Sequence, residues 1–186
     1  MRLFCAIEVP SLLKESMQEL VNGLPNEGLK KVNPSLMHIT LKFLGEVEES
    51  QIPEVEAALS SVDFSPFSVQ IRGVGVFPNP KYVKAVWAGV EGGGLGELAQ
   101  KVEDALSPLF PKEKREFSGH ITLARVRHKI EISSFLEKHS DELFGGFVVN
   151  KFVLMQSVLT QPEPEYISIG EFESKSGEER EGKGRR

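Results

Sequence analysis

The sequence predicts an α+β fold made of two related halves, each running strand–helix–strand–helix–strand, with two mostly antiparallel sheets and outer helices flanking a central cleft. Three observations predict it. A shift of 82 positions lays one half on the other without a gap over long stretches. Within each half the apolar period changes between that of a strand and that of a helix. The tetrapeptide His-Ile-Thr-Leu occurs twice in that register, at His38–Leu41 and His120–Leu123.

The first strand of each half is β-branched and aromatic, about Arg2–Val9 and Val83–Val90. Under the shift, Arg2-Leu3-Phe4-Cys5-Ala6 falls on Lys84-Ala85-Val86-Trp87-Ala88. An amphipathic helix follows, about Leu12–Leu24 and Leu95–Leu109, with Leu13, Met17, Leu20 and Leu24 at helical spacing in one copy. Leu95, Leu98, Val102, Leu106 and Leu109 recur likewise in the other. The histidine strand comes next, then a second helix, about Gln51–Val62 and Ser133–Leu143. Pro53 suits the first turn of such a helix, where no donor is required of it. Extended runs, Phe67–Phe77 and Phe147–Leu159, close the halves, and a last strand, Tyr166–Phe172, completes the second. The expected organisation is one bilobal domain over 1–173, with pseudo-repeats of about 1–82 and 83–173. Residues 174–186 hold no apolar side chain and read as a disordered polar tail.

Composition narrows the function. With 40% hydrophobic and 26% charged residues the chain reads as a globular domain, and Glu8 and Pro10 interrupt the opening apolar run before an export or membrane signal develops. A cytoplasmic protein without a membrane contact is expected. Cys5 is the single cysteine, so no internal disulfide or thiolate cluster forms, and its apolar neighbours make it a core thiol. A net charge of −5 argues against a general nucleic-acid coat but not against one RNA terminus, because a local patch suffices. Lys112, Lys114, Arg115, Arg125, Arg127 and Lys129 supply such a patch, and His120 lies inside it.

In a strand, His38 and Thr40 point to one face while Ile39 and Leu41 point to the other, and His120 and Thr122 alternate likewise with Ile121 and Leu123. One His-x-Thr alone would read as an ordinary polar strand face. Two copies related by a pseudo-two-fold axis can present four polar side chains to a shared cleft. That set suits in-line displacement at phosphorus: one imidazole removes a proton from water or a hydroxyl, and the other protonates the departing oxygen. The threonines can donate to the non-bridging oxygens. Either histidine could take either role. A zinc site lacks a third ligand in the sequence pattern, so no metal and no cofactor is expected. His128 and His139, whose counterparts are Glu46 and Ala57, read as surface residues. The Glu91–Gly96 run reads as a loop and does not match the dinucleotide fingerprint.

Met37-His38-Ile39-Thr40-Leu41-Lys42-Phe43-Leu44-Gly45 and Gly119-His120-Ile121-Thr122-Leu123-Ala124-Arg125 resemble the RNA 2′,3′-cyclic phosphodiesterases, or 2′-5′ RNA ligases, of the 2H phosphoesterase superfamily. Leu3–Ile7 and Gly75–Pro78 fit the same family, and the resemblance spans about residues 1–172. It implies hydrolysis of a terminal 2′,3′-cyclic phosphate to a 2′-phosphate, with possible 2′-5′ joining of tRNA halves. By that resemblance His38 is the proton donor, His120 the proton acceptor, and Thr40 and Thr122 hold the phosphate. Arg125 is a further phosphate contact, although its strand parity is that of Ile121 and Leu123, so the strand must twist or end there. Phe43 shares that parity and reads as core, with stacking on a base as the alternative. The partners are then RNA 3′ ends bearing a cyclic phosphate or tRNA halves, and a duplicated chain needs no second copy, so a monomer is expected. The competing class is an RNA-end binding module without turnover.

Overall fold

The computed structural model describes residues 1–175. Nine strands and four helices alternate in the order β1 (Arg2–Glu8), α1 (Lys14–Asn22), β2 (Leu29–Lys31), β3 (His38–Glu46), α2 (Ile52–Ser60), β4 (Phe67–Asn79), β5 (Tyr82–Glu91), α3 (Leu95–Leu106), β6 (His120–Val126), α4 (Ser133–Lys138), β7 (Leu143–Val149), β8 (Lys151–Val158) and β9 (Glu165–Glu173). All strand pairs are antiparallel, in the order β7-β4-β5-β6-β3-β1-β8-β9, with β2 beside β6.

The expected α+β architecture is present, and the two expected sheets are joined edge to edge into one nine-stranded sheet. β3 and β6 pair at Ile39↔Ile121, two residues that the 82-position shift places on each other. The pseudo-two-fold axis therefore passes through that pair. On one side lie β3, β1, β8 and β9; on the other lie β6, β5, β4 and β7. The closing strands are exchanged between halves. β4, from the end of the first repeat, pairs with β5, and β8, its counterpart, pairs with β1. This explains why the run Phe147–Leu159 is two strands rather than one. At Asn150 the chain leaves the β4 edge and crosses to β1.

Helix ends are shorter than periodicity suggests. α1 begins after a 3-10 turn at Ser11–Leu13 and buries Met17, Leu20 and Val21. α2 follows a 3-10 turn at Glu49–Gln51 whose Glu48 and Gln51 form a capping box, with Pro53 in the first helical turn. α3 buries Leu95, Leu98, Val102 and Leu106 of the predicted stripe and Ala99 besides, stops before the half-buried Leu109, and packs on β3 and α2. α4 stops at Lys138, and Leu143, predicted as its last residue, instead opens β7. Of the predicted tail, Ser174 and Lys175 donate backbone hydrogen bonds to the carbonyls of Asn150 (2.7 Å) and Phe64 (2.9 Å). Residues 176–186 lie outside the described residues.

The main core lies between the helices and one face of the sheet, where Leu3, Cys5, Ile7, Ile39, Ile121, Leu123 and Leu154 are buried. Burial pushes the Cys5 thiol up to about 12, which keeps it protonated and inert. Phe4, Ala6, Val153 and Met155 alternate with those residues and form a smaller cluster on the opposite face, with Tyr166 against it. The helix-free face thus carries its own apolar layer beside the first histidine.

One buried ion pair crosses the core. Lys42 Nζ reaches both Glu103 oxygens (2.8 and 2.9 Å) and the Pro111 carbonyl (3.0 Å), and Glu103 Oε1 also accepts from the Glu113 amide (3.0 Å). It ties the first histidine strand to α3 and to the segment that leads into β6. Removing one partner strands a charge in the core. Lys42→Ala should therefore cost about 3–5 kcal/mol in urea unfolding, and Lys42→Met with Glu103→Leu should recover most of it. Equal losses in the single and double variants would contradict a paired, desolvated interaction.

Candidate active site

The Ile39↔Ile121 pair sets the site. Both isoleucines point into the core, so the residues on either side of each, His38, Thr40, His120 and Thr122, point out on the other face. The structure brings these four predicted side chains together on one surface, all half-buried. In a regular antiparallel pair the diagonal positions, here those of His38 and His120, lie about 7–8 Å apart, a span that side chains can bridge through one phosphate.

Each ring is oriented in the same way. His38 Nδ1 lies 2.9 Å from the Leu36 carbonyl, and His120 Nδ1 lies 2.8 Å from the Ser118 carbonyl. A carbonyl only accepts, so each Nδ1 carries a proton, and Nε2 is the atom left for a ligand. Leu36 and Ser118 are themselves 82 positions apart, so the repeat preserves the orienting bond along with the motif. Gly119 is required for the second copy. A Cβ there would stand 2.7 Å from the Val90 carbonyl and 2.5 Å from Leu95 at the start of α3.

Arg125 and Phe43 are repeat equivalents, and both differ from their expected parity for one reason. Opposite β1, Ala6 pairs with Thr40 and Cys5 with Lys42, leaving Leu41 as an extra residue. Opposite β5, Trp87 pairs with Thr122 and Val86 with Ala124, leaving Leu123 extra. Each is a β-bulge, and a bulge reverses the faces beyond it. Phe43 is therefore not core but 68% exposed, on the histidine face and 6.1 Å from the Phe4 ring. Arg125 is exposed on that face too, and its charge acts on both His38 and Tyr166.

The same pairings correct the repeat register. Ala6, not Cys5, occupies the position of Trp87, because each stands opposite the motif threonine. The first strands are related by 81 positions and the histidine strands by 82, so the connection between them differs by one residue. A slip of one exchanges faces, which is why the sequence alignment set Phe4, on the histidine face, against buried Val86.

The two histidines differ in their walls. His38 packs against Phe4 (centroids 4.9 Å) and the edge of Tyr166 (5.2 Å). His120 lies against Phe77 (5.0 Å) and Trp87 (6.5 Å), and the Trp87 indole sits over Gly75, where a Cβ would come within 2.2 Å of it. Burial lowers the His38 pKa, opposed by its backbone hydrogen bond, and the charges of His120 and Arg125 lower it further. Burial also raises the Tyr166 phenol, so it stays protonated. A cavity of about 460 Å³ opens beside His38, with Phe4 and Tyr166 among its walls and His120 not among them.

Elsewhere, His128 is exposed as expected, but His139 is buried. It packs on Phe135 and Phe144, and its Nδ1 pairs with Glu142. The short α4 turns it inward, which periodicity alone did not signal. Sequence reading also missed the aromatic walls Phe4, Phe77, Trp87 and Tyr166. Phe4 was legible in principle, since it alternates with Leu3 and Cys5; Tyr166 joins the site only through the strand exchange. Among the described residues, no helix is long and apolar enough to cross a membrane.

Comparison with known proteins bears on the family and the fold. The model of the family described as LigT like phosphoesterase matches residues 7–87. The RNA 2′,3′-cyclic phosphodiesterase of Archaeoglobus fulgidus is 40% identical over 176 residues, covering 93% of this chain and all of that protein. The protein of the same name from Methanocaldococcus jannaschii is 34% identical, covering 92% and all, respectively. A crystal structure from Thermus thermophilus superposes with a TM-score of 0.79 at 30% identity, covering 93% of this chain and 97% of that one. LigT of Escherichia coli complexed with 3′-AMP shares the fold, with a TM-score of 0.79 at 23% identity over 94% of this chain and 98% of that one. An internally duplicated sheet that sets two His-x-Thr strands side by side, together with relatives matched along nearly their whole length, places this chain in the LigT-like phosphoesterase family of 2H enzymes.

Proposed function

We propose that this protein opens the 2′,3′-cyclic phosphate at the 3′ end of an RNA, leaving a 2′-phosphate, with His38 and His120 as the acid–base pair and no metal. The observation that carries this reading is the self-paired Ile39↔Ile121 position, which sets both His-Thr pairs on one face. The names of the relatives supply the substrate class. Among the described residues no three His, Cys, Asp or Glu side chains are grouped as a metal would require, and both proton transfers are assigned here to the imidazoles.

His120 Nε2 takes a proton from water as its oxygen bonds to phosphorus. His38 Nε2–H gives a proton to O3′ as the P–O3′ bond breaks. Thr40 and Thr122 donate to the non-bridging oxygens, whose charge grows in the transition state, and Arg125 balances that charge. Phe43 offers an exposed face on which the terminal base can stack. When the 5′-hydroxyl of a second RNA replaces water, the same two transfers join the strands by a 2′-5′ linkage, as tRNA halves would require.

The wall asymmetry supports this order of roles, which the motif alone leaves interchangeable. The ribose carries both bridging oxygens and needs room on the side of the acid. The open cavity is at His38, whereas Trp87 and Phe77 wall His120. In the free protein, burial holds His38 below its ordinary value, so its neutral form predominates at neutral pH. The anionic phosphate then favours the imidazolium once bound, and raises His38 for its task as donor.

RNA ending in a 2′,3′-cyclic phosphate should yield the 2′-phosphate with an undiminished rate in EDTA. Dependence on added zinc or magnesium would contradict the proposal. His38→Ala and His120→Ala should each lower kcat by about 10²–10⁴-fold with an unchanged unfolding midpoint. Modest effects on binding with no product from any variant, or from the parent protein, would instead identify an RNA-end binding module.

Both pH profiles should be bell-shaped. Because burial lowers His38, its protonated form is lost in the free enzyme on the acid side of about 6.5, and the alkaline limb of kcat/KM should fall there. The alkaline limb of kcat, which reports the bound state, should lie at higher pH. Coincident alkaline limbs would remove the bound phosphate as the source of the shift.

A further inference from the structure

The cavity beside His38 is larger than a phosphate needs and is not lined by either threonine. We propose that it is the subsite for the penultimate nucleotide of the RNA, the one on the 5′ side of the terminal cyclic phosphate. This rests on the function proposed above and on its assignment of the ribose to the His38 side. A strand whose terminal ribose lies at His38 must continue away from the phosphorus on that same side, and this is where the cavity opens.

Its size and walls suit that occupant. About 460 Å³ falls within the roughly 300–1,000 Å³ of ligand-sized clefts. One wall is apolar and partly aromatic: Phe4, Met155, Tyr166 and Val148, the last 58% exposed with no core role to explain it. A nucleobase can lie against such a surface without sequence selectivity. The opposite rim is polar. Lys14, at the start of α1, is exposed and makes no hydrogen bond or ion pair among the described residues, and Ser35 adds a hydroxyl. Lys151 also lines the cavity but is held by Glu171 at 3.0 Å. Lys14 is thus the cation available to the phosphodiester that links the last two nucleotides. Glu8 is the single carboxylate on the walls, an acceptor suited to a ribose hydroxyl rather than to a phosphate. An apolar wall facing a cationic rim matches the two ends of a nucleotide.

The test compares a nucleoside 2′,3′-cyclic phosphate with a dinucleotide ending in the same group, using the full chain at about 0.15 M salt, where distant charges are screened. The dinucleotide should show a KM about tenfold lower at similar kcat, the worth of one charge-assisted contact. Lys14→Glu should abolish that advantage while leaving kcat and KM for the mononucleotide within about twofold, and Lys14→Arg should restore it. Equal KM for the two parent reactions, or a Lys14→Glu loss shared by both substrates, would overturn the subsite and leave the proposed activity standing. No turnover of either substrate would overturn both.

Discussion

The arrangement of this molecule depends on one backbone contact: the antiparallel pairing of β3 and β6 where Ile39 meets Ile121. Because each residue is the repeat equivalent of the other, any symmetry between the halves must pass through this point. It has two consequences at once. The isoleucines fill the core, and the polar residues flanking them are forced onto the other face in a two-by-two array. A slip by one residue in either strand would bury a histidine and expose an isoleucine. The pairing is brief, so other interactions must hold it. The strand exchange does so by making each half complete the other's sheet, and the Lys42–Glu103 pair does so by locking β3 to the helix and loop that deliver β6.

The bulges at Leu41 and Leu123 extend the same logic beyond the four motif residues. A regular strand would have spent Phe43 and Arg125 on the core face. One extra residue in each strand reverses them, so the end of each histidine strand delivers an exposed side chain to the surface where its start delivers an imidazole. The repeat therefore duplicates more than a motif. It duplicates an orienting carbonyl, a histidine, a threonine, a bulge and an exposed residue after it. The residue types at that last position then diverge: an aromatic ring in one half, a guanidinium in the other.

The sequence disclosed what depends on local chemistry. Period-2 alternation around His38 and His120 showed which side chains share a face, and the 3.6-residue stripe of α3 named four of its five buried residues, missing Ala99 and running on to Leu109 beyond the helix end. It did not disclose what depends on pairing partners. Leu41 and Leu123 carry no mark of being bulged, because the bulge is defined by the neighbouring strand. The break at Asn150 is invisible in a continuous apolar run, since it reflects a change of sheet edge rather than a loss of strand propensity. His139 was misplaced for a related reason. Its burial comes from packing against Phe135 and Phe144, at the end of a helix shorter than its period implied.

A symmetric scaffold would pose a problem for the proposed reaction, in which water enters at one side of phosphorus and a ribose oxygen leaves at the other. The two imidazoles are equivalent in motif, strand register and orienting bond, so none of these can tell them apart. What differs lies one layer out. Opposite Thr122 stands Trp87, seated on the surface that Gly75 leaves bare; opposite Thr40 stands Ala6. Tyr166 and Phe4 lean on His38 and open onto a cavity, while Phe77 and Trp87 wall His120. Divergence between the halves is thus concentrated in the walls and withheld from the His-Thr pairs. The proposed chemistry uses two like proton carriers in opposite roles, and a substrate that is a chain with one end would need only one side of the cleft to be deep.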